Sequence, residues 1–272
     1  MVHLQKIARG LIATLAGLLL LAPFAWMLVG SLRTPGAAIP VSPLSWPQSP
    51  GLESYRRAFE WVPMASGLLN SVVLTLAGVL LSLLSASFTG FAMTRLSAER
   101  QLRAVALLVV AASIPLTAIW VPRFVLFEWL GLSRSALPLL APALYGASPL
   151  FVLLYFVAMR RLGGEQFDAA RLDGLGLPAQ WWRIALPQVR PTTVAVATLA
   201  AMQFWGGFLE PLLYLESERE LTAPLLLHAL DLLGPTQWAV LMAGAALLTL
   251  PVLLAFVASQ GLFRSLDHRP EN

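Results

Sequence analysis

Apolar residues in this chain gather into blocks separated by shorter polar stretches. Six such blocks lie roughly over 11–30, 66–91, 104–127, 137–158, 192–209 and 238–261. A helix needs about 20 such residues to cross the ~30 Å hydrocarbon core of a bilayer. Lipid offers no partner to a free backbone N–H or C=O, so each block is predicted to be helical. Prolines at 115, 122, 142, 149 and 251 are expected to kink or interrupt these helices, because proline lacks a donor and clashes with the preceding turn.

The most informative polar interval is 165–187, EQFDAARLDGLGLPAQWWRIALP. It is the longest polar stretch that lies far from both termini and between long apolar runs. Residues 165–172 are good helix formers, with Glu165 and Asp168 near the start, where the helix dipole favours acids. Gly174 and Gly176 permit a turn, and Pro178 can open a second helical turn. Pro187 and Pro191 mark the entry to the next span. The interval therefore predicts two short helices hinged near Gly174, within a polar loop of about 159–191.

Composition points the same way. The chain is 58% apolar and 12% charged, with a mean hydropathy of +0.74. A soluble domain carries about 25% charged residues. The fold class is thus all-α, an integral membrane bundle of six helices, treated as a single domain over 1–272. The run after Lys6 and Arg9 is longer than the ~7–15-residue core of a signal peptide, so it is read as a retained first span.

Loop charge predicts orientation. Of the 18 Lys and Arg residues, 12 fall in one set of segments (6, 9, 95, 100, 103, 160, 161, 171, 183, 190, 264, 269) and 6 in the other (33, 56, 57, 123, 134, 219). Both termini and the 165–187 loop are therefore expected in the cytoplasm, in a multi-pass protein of the plasma (inner) membrane. Segment 31–65, rich in Pro and Trp, is expected as an ordered outer cap, with Trp46 and Trp61 at the membrane interface.

Several chemistries are excluded. The only lysine, Lys6, follows Gln5, so no phosphate-cradling G-x-x-x-x-G-K-[ST] loop exists. His3, His228 and His268 have no metal-ligand spacing, and no serine sits in G-x-S-x-G. There is no cysteine for disulfide, thiolate or nucleophile. The basic residues are scattered, with no stripe for nucleic acid. The chain is predicted to be no enzyme and to hold no cofactor or metal.

The same residues carry a resemblance. Asp168-Ala169-Ala170, then Asp173-Gly174, then Ile184 and Leu186-Pro187 resemble the "EAA" cytoplasmic loop of ABC importer permeases, with Asp168 in place of the usual Glu. Pro23-Phe24, Trp26-Met27, the 31–35 run SLRTP, Tyr55 and Leu69-Asn70-Ser71 are similar to the front half of the carbohydrate (maltose-type) group. Trp205-Gly206-Gly207-Phe208 departs from that group's W-N-x-F by lacking the Asn. The resemblance covers nearly the whole chain. It implies the ABC importer type I permease architecture and a second homologous permease. It also implies two ATPase subunits that use ATP and Mg, and an extracytoplasmic solute-binding protein. It implies that Glu165, Phe167, Asp168, Ala169, Ala170, Asp173, Gly174, Ile184, Leu186 and Pro187 serve coupling to the ATPase, with Phe167, Ala169, Ala170 and Leu172 packing there. Without the resemblance, the loop reads equally as a hairpin that stabilises the bundle. Malto-oligosaccharides, other disaccharides, monosaccharides and glycerol phosphates all fit the subgroup.

Residues for a substrate path are Asn70, Arg123, Gln203, Trp205 and Glu210. Arg123 and Glu210 lie at outer ends of their blocks, so each either snorkels to the headgroups or faces a cavity. Asn70, Ser71, Thr75, Ser82, Ser85, Ser87, Thr89 and Gln203 either bind a sugar or join helices. Trp205 either stacks on a sugar or packs. The acidic segment 216–236 is either a contact for the binding protein or a plain solvated loop. The tail 264–272 is a further candidate contact for the ATPases. The competing reading is a stand-alone secondary transporter, which calls for paired intramembrane ionisable residues or broken-helix repeats.

Overall fold

A computed structural model describes residues 2–40, 45–144 and 148–267, and their side chains apart from 2–8, 116 and 256–267. Pro43 of the outer segment and residues 268–272 of the tail lie outside the described residues. In chain order the helices are α1 (Val2–Ser31), α2 (Glu53–Trp61), α3 (Met64–Thr94), α4 (Ala98–Ser113), α5 (Leu116–Trp129), α6 (Leu137–Leu144) and α7 (Pro149–Arg160). There follow α8 (Glu165–Leu172), α9 (Leu177–Gln180), a π-helical turn (Trp181–Ala185), α10 (Leu186–Gln188), α11 (Arg190–Trp205), α12 (Leu209–Tyr214), α13 (Ala223–Asp231) and α14 (Trp238–Asp267). No strand occurs among the described residues.

Four helical stretches are long and apolar enough to cross a membrane: Arg9–Ser31, Met64–Thr94, Leu137–Arg160 and Pro235–Ala255. The third crosses residues 145–147, which lie outside the described residues. A fifth span exists if α4 and α5, bent by 93°, are counted as one. The bend follows from Pro115. Ile114, the residue before it, is extended (ψ 120°), and Pro115 itself caps α5 with ψ 133°. Pro122, Pro142 and Pro251 stay inside their helices, and Pro149 opens α7. The sixth expected span, 192–209, corresponds to α11. This helix has 16 residues, and α12 continues beyond a break at Gly206–Phe208. At 1.5 Å per residue α11 reaches about 24 Å, short of the hydrocarbon thickness.

The chain groups into two compact units. One comprises 1–68 and 223–261, the other 69–222 and 262–272. In the first, the segment after α1 is tied down by polar contacts. Ser54 Oγ donates to Arg33 O at 2.6 Å, Ser31 Oγ and Tyr55 Oη share a hydrogen bond of 2.8 Å, and Trp238 Nε1 donates to Ala37 O at 2.7 Å. Trp46 and Trp61 are exposed. Arg56 and Arg57 hydrogen-bond Glu53 and hold its carboxyl below the usual carboxylate range.

The second unit is built around α3 and α7. Gly90 of α3 lies so close to α7 that a Cβ would stand 2.8 Å from Tyr155 Cβ and 2.9 Å from Phe156 N. Lipid tails are as apolar as leucine, so close packing of this kind, rather than escape from water, holds membrane helices together. The core here contains Ala86, Phe91, Met93, Phe151, Val152, Tyr155, Phe156 and Met159. Phe167 and Ala185, from the polar interval, and Val189, two residues beyond it, join the same core.

Candidate functional site: the 165–187 loop and the buried ion pair

The loop folds as its sequence foretells, and then adds detail. α8 spans Glu165–Leu172 and ends in a Schellman turn. Leu175 N–H donates to Ala170 O at 2.9 Å and Gly174 N–H to Arg171 O at 3.0 Å. Gly174 has φ +80°, the left-handed conformation that side chains with a Cβ resist. Gly176 has φ −70° and uses no such freedom. Pro178 sits in the first turn of α9.

Two faces emerge. Phe167, 1% exposed, and Ala170 point into the chain's own core, with Ile184 and Leu186 packed against it. Glu165, Asp168, Ala169, Leu172, Asp173, Gly174 and Pro187 face outward, and Leu172 is 90% exposed. Trp182 is a second large apolar side chain on the exposed side. Of the four side chains expected to pack on a partner, the structure thus leaves Ala169 and Leu172 free. Asp168 makes no side-chain cap and pairs instead with Arg171 at 3.5 Å.

Residues outside the expected set root the loop. The Arg95 guanidinium lies 4.6 Å over the Phe91 ring and 3.9 Å over the Phe167 ring. Burial pushes its pKa down, and the like charge of Arg171 adds to this, while Asp168 opposes it. Arginine starts so high that it stays cationic at neutral pH. Trp181 Nε1 donates to Ser87 Oγ at 3.2 Å, and its ring meets Phe88 edge-on at 5.3 Å. Gln180, 1% exposed, donates to Leu175 O at 2.7 Å, and Gln188 Nε2 donates to Gln166 Oε1 at 2.9 Å. In the sequence Arg95 counts only as loop charge, and the glutamines carry no periodic signal. The adjacent aromatics Trp181-Trp182 were the available hint.

The substrate-path residues separate as well. Asn70 Nδ2 donates to Arg219 O at 2.8 Å and Leu221 O at 3.0 Å, so its donors are spent on backbone. Arg123 of α5, 9% exposed, forms an ion pair with Glu210 of α12, 28% exposed, and its guanidinium lies 5.9 Å from the Tyr214 ring. The Arg123 head group is thus turned inward to a protein carboxylate. Gln203 and Glu210 share a cavity of about 30 Å³ with Phe204, Gly207 and Pro211, room for about one water. Trp205, at the end of α11, is half-buried. A larger open cavity of about 280 Å³ is lined mainly by apolar side chains, with Asn70, Glu220 and Thr222 as its polar members. Ser85 Oγ donates to Ala143 O at 2.5 Å, a helix-joining contact. Among the described residues no group of His, Asp and Glu could hold a metal ion.

These spans and broken helices define an all-helical membrane protein. The fold matches a bacterial ABC transporter involved in the import of the acidic polysaccharide alginate, with TM-score 0.78 and 17% identity over 96% of this chain and 97% of that one. It also matches a bacterial alginate ABC transporter in complex with an alginate pentasaccharide-bound periplasmic protein. There the TM-score is 0.65, with 14% identity over 96% and 95%. Residues 78–270 match the binding-protein-dependent transport system inner membrane components, and the chain belongs to that family. It is 28% identical over 260 residues to a probable starch degradation products transport system permease protein of Thermoanaerobacterium thermosulfurigenes, covering 95% of this chain and 94% of the relative. It is also 28% identical over 262 residues to a lactose transport system permease protein of Rhizobium radiobacter, covering 96% and 94%.

Proposed function

We propose that this chain is the sugar-translocating permease subunit of an ATP-driven importer and that it meets a separate ATPase through the 165–187 loop. The observation that carries the reading is the division of that loop. Phe167, Ala170 and Ala185 root it in the core, while Ala169, Leu172 and Trp182 offer an exposed apolar face. A rigid knob with a free greasy face transmits force only if something grips it. The single lysine, Lys6, leaves the chain without a phosphate-cradling loop, so ATP and Mg belong to that partner.

The remaining assembly follows from the family. One permease domain over 1–272 pairs with a second homologous permease, two ATPase subunits and an extracytoplasmic binding protein. Both termini and the 165–187 loop face the cytoplasm, as the 12-to-6 split of basic residues favours. A sugar or sugar-like solute is the cargo, by the names of the starch-product and lactose relatives. Gln203, Trp205 and the Arg123–Glu210 pair are the side chains nearest a path through this subunit.

One observation touches the secondary-transporter reading: Arg123–Glu210 is a paired set of ionisable groups within a bundle. Arginine does not deprotonate in proteins, and Glu210 is already neutralised by it, so the pair is poorly suited to relay a proton. Family membership disfavours that reading too.

Copurification and liposome transport test the proposal. The tagged chain should bring down an ATPase and a second permease, and uptake should require ATP and the binding protein. Uptake by this chain alone, driven by an ion gradient, would refute it. Protease accessibility of the Gly174 turn from the outer face would overturn the orientation.

A further inference from the structure

The inner end of α3 is gripped twice by the 165–187 loop, through Arg95–Phe167 and through Ser87–Trp181. Near its other end the same helix presents Asn70, whose amide holds the backbone of Arg219 and Leu221. Those carbonyls belong to the loop 215–222, whose residues Glu216 to Glu220 are exposed. Asn70 and Thr94, the last residue of α3 and the neighbour of Arg95, stand 24 positions apart, about 36 Å along a helix at 1.5 Å per residue.

α3 is suited to carry displacement over that length. Among the described residues, three helices have 30 residues or more: α1, α3 and α14. α1 contains Pro23 and α14 contains Pro251, whereas α3 contains no proline. Proline is one of the few causes of a sharp helix kink. The loop 215–222 has few other polar ties. Arg134 meets Glu216 at 3.4 Å, but both side chains are largely exposed and such a pair holds little.

We propose that Asn70 is a positioning residue that fastens the loop 215–222 to α3, so that this helix moves the 165–187 loop and the 215–222 loop as one body. Resting on the permease reading above, the inference gives the transporter a physical link between the face that meets the ATPase and the face on the other side of the membrane. Neither end of the link needs to touch the sugar. An amide is the required group. Its NH₂ supplies two donors to two carbonyls, which a carboxylate cannot do and a hydroxyl can do only once.

The chain has no cysteine, so introduced ones are the only labelling sites within it. Arg183→Cys and Glu218→Cys, both at exposed positions and outside the face proposed to meet the ATPase, carry a spin-label pair in the complete transporter in nanodiscs. The expected distance distribution is narrow and unchanged between ATP-free and ATP-bound states. Asn70→Ala should broaden it. The ratio of ATP hydrolysis with and without loaded binding protein should fall about fivefold or more. Asn70→Gln, which keeps both donors, should retain the narrow distribution and most of the stimulation.

Two results would overturn the inference. One is a 183–218 distance that changes by about one helical turn, 5.4 Å, between the two states in the otherwise unaltered chain. The other is an Asn70→Ala variant with a narrow distribution and full stimulation. If Asn70→Ala fails to assemble, Asn70→Gln and the state-independence of the distance still decide the matter. Failure of the ATPase to bind the unaltered chain is a separate outcome, which refutes the permease reading itself.

Discussion

Arg95 and Phe167 stack cation on ring, 3.9 Å from guanidinium carbon to ring centroid, although 72 positions separate them. The contact joins the end of α3 to α8. A partly desolvated cation–π pair is worth roughly 1–2 kcal/mol. Arg95→Ala should therefore lower thermal stability in detergent by about that amount. Arg95→Lys should recover part of it, because the charge remains while the planar stack is lost. Phe167→Ala should cost more, roughly 3–5 kcal/mol, since it also empties a core site. Melting of the three purified variants compares them directly, and equal midpoints would rule the contact out as an anchor.

Gly174 holds φ +80° at the end of α8. A Cβ there meets no neighbour, so the cost of Gly174→Ala is backbone strain alone, roughly 1–2 kcal/mol. Gly174→Asn should cost less, because Asn visits this region more readily. Gly174→Asp and Ala170→Leu should leave the protein in the membrane yet break the link between ATP hydrolysis and uptake. Membrane fractionation with paired hydrolysis and transport assays checks this, and normal uptake by both variants would count against it.

The ion pair between Arg123 and Glu210 predicts non-additive mutants. Removing one partner strands a charge; for a fully buried pair that costs roughly 3–5 kcal/mol, and less here, where Glu210 is 28% exposed. Glu210→Leu should therefore destabilise more than the double variant Arg123→Leu with Glu210→Leu. A double-mutant cycle by thermal unfolding measures the coupling. Additive losses would mean that the two side chains do not depend on each other.

Leu172 and Trp182 are exposed and lie outside the core cluster, Trp182 with its ring 5.6 Å from that of Trp181. Leu172→Asp and Trp182→Ala should leave the melting temperature within about 0.5 kcal/mol equivalent of the parent, as exposed substitutions generally do. They should nevertheless weaken copurification of the ATPase. Full recovery of the ATPase with both variants would send the search for its docking face elsewhere.

Much of this was legible in the sequence. Glu165–Leu172, the Gly174 turn and the helical turn opened by Pro178 come directly from local chemistry, because capping, glycine and proline act within a few residues. The break at Pro115 follows for the same reason. The sixth expected span, 192–209, is met by a helix that ends four residues earlier. Residues 192–209 are apolar enough, but the helix stops at Trp205, and the Gly206-Gly207 pair behind it offers no helix propensity to carry it on. Pairings such as Arg123–Glu210, Arg95–Phe167 and Asn70–Arg219 depend on which helices become neighbours, and hydropathy is silent on that. For Asn70 the alternatives were a sugar ligand or a helix contact; its amide went to a loop instead. The inward turn of Phe167 and Ala170 was hidden too, since an eight-residue helix is too short to show which side is apolar.

The turn at Trp181–Ala185 sets a constraint on chain length. Leu186 N–H reaches back five residues to Trp181 O, one more than an α-helix allows. This single extra residue shifts the phase of everything after it by about 100°. It lets Ala185 point inward while Trp182, three positions earlier, points to water. The nine-residue interval between Asp173-Gly174 and Ile184 is therefore a fixed gauge: shortened by one, it would turn the residues that follow by about 100° relative to those before.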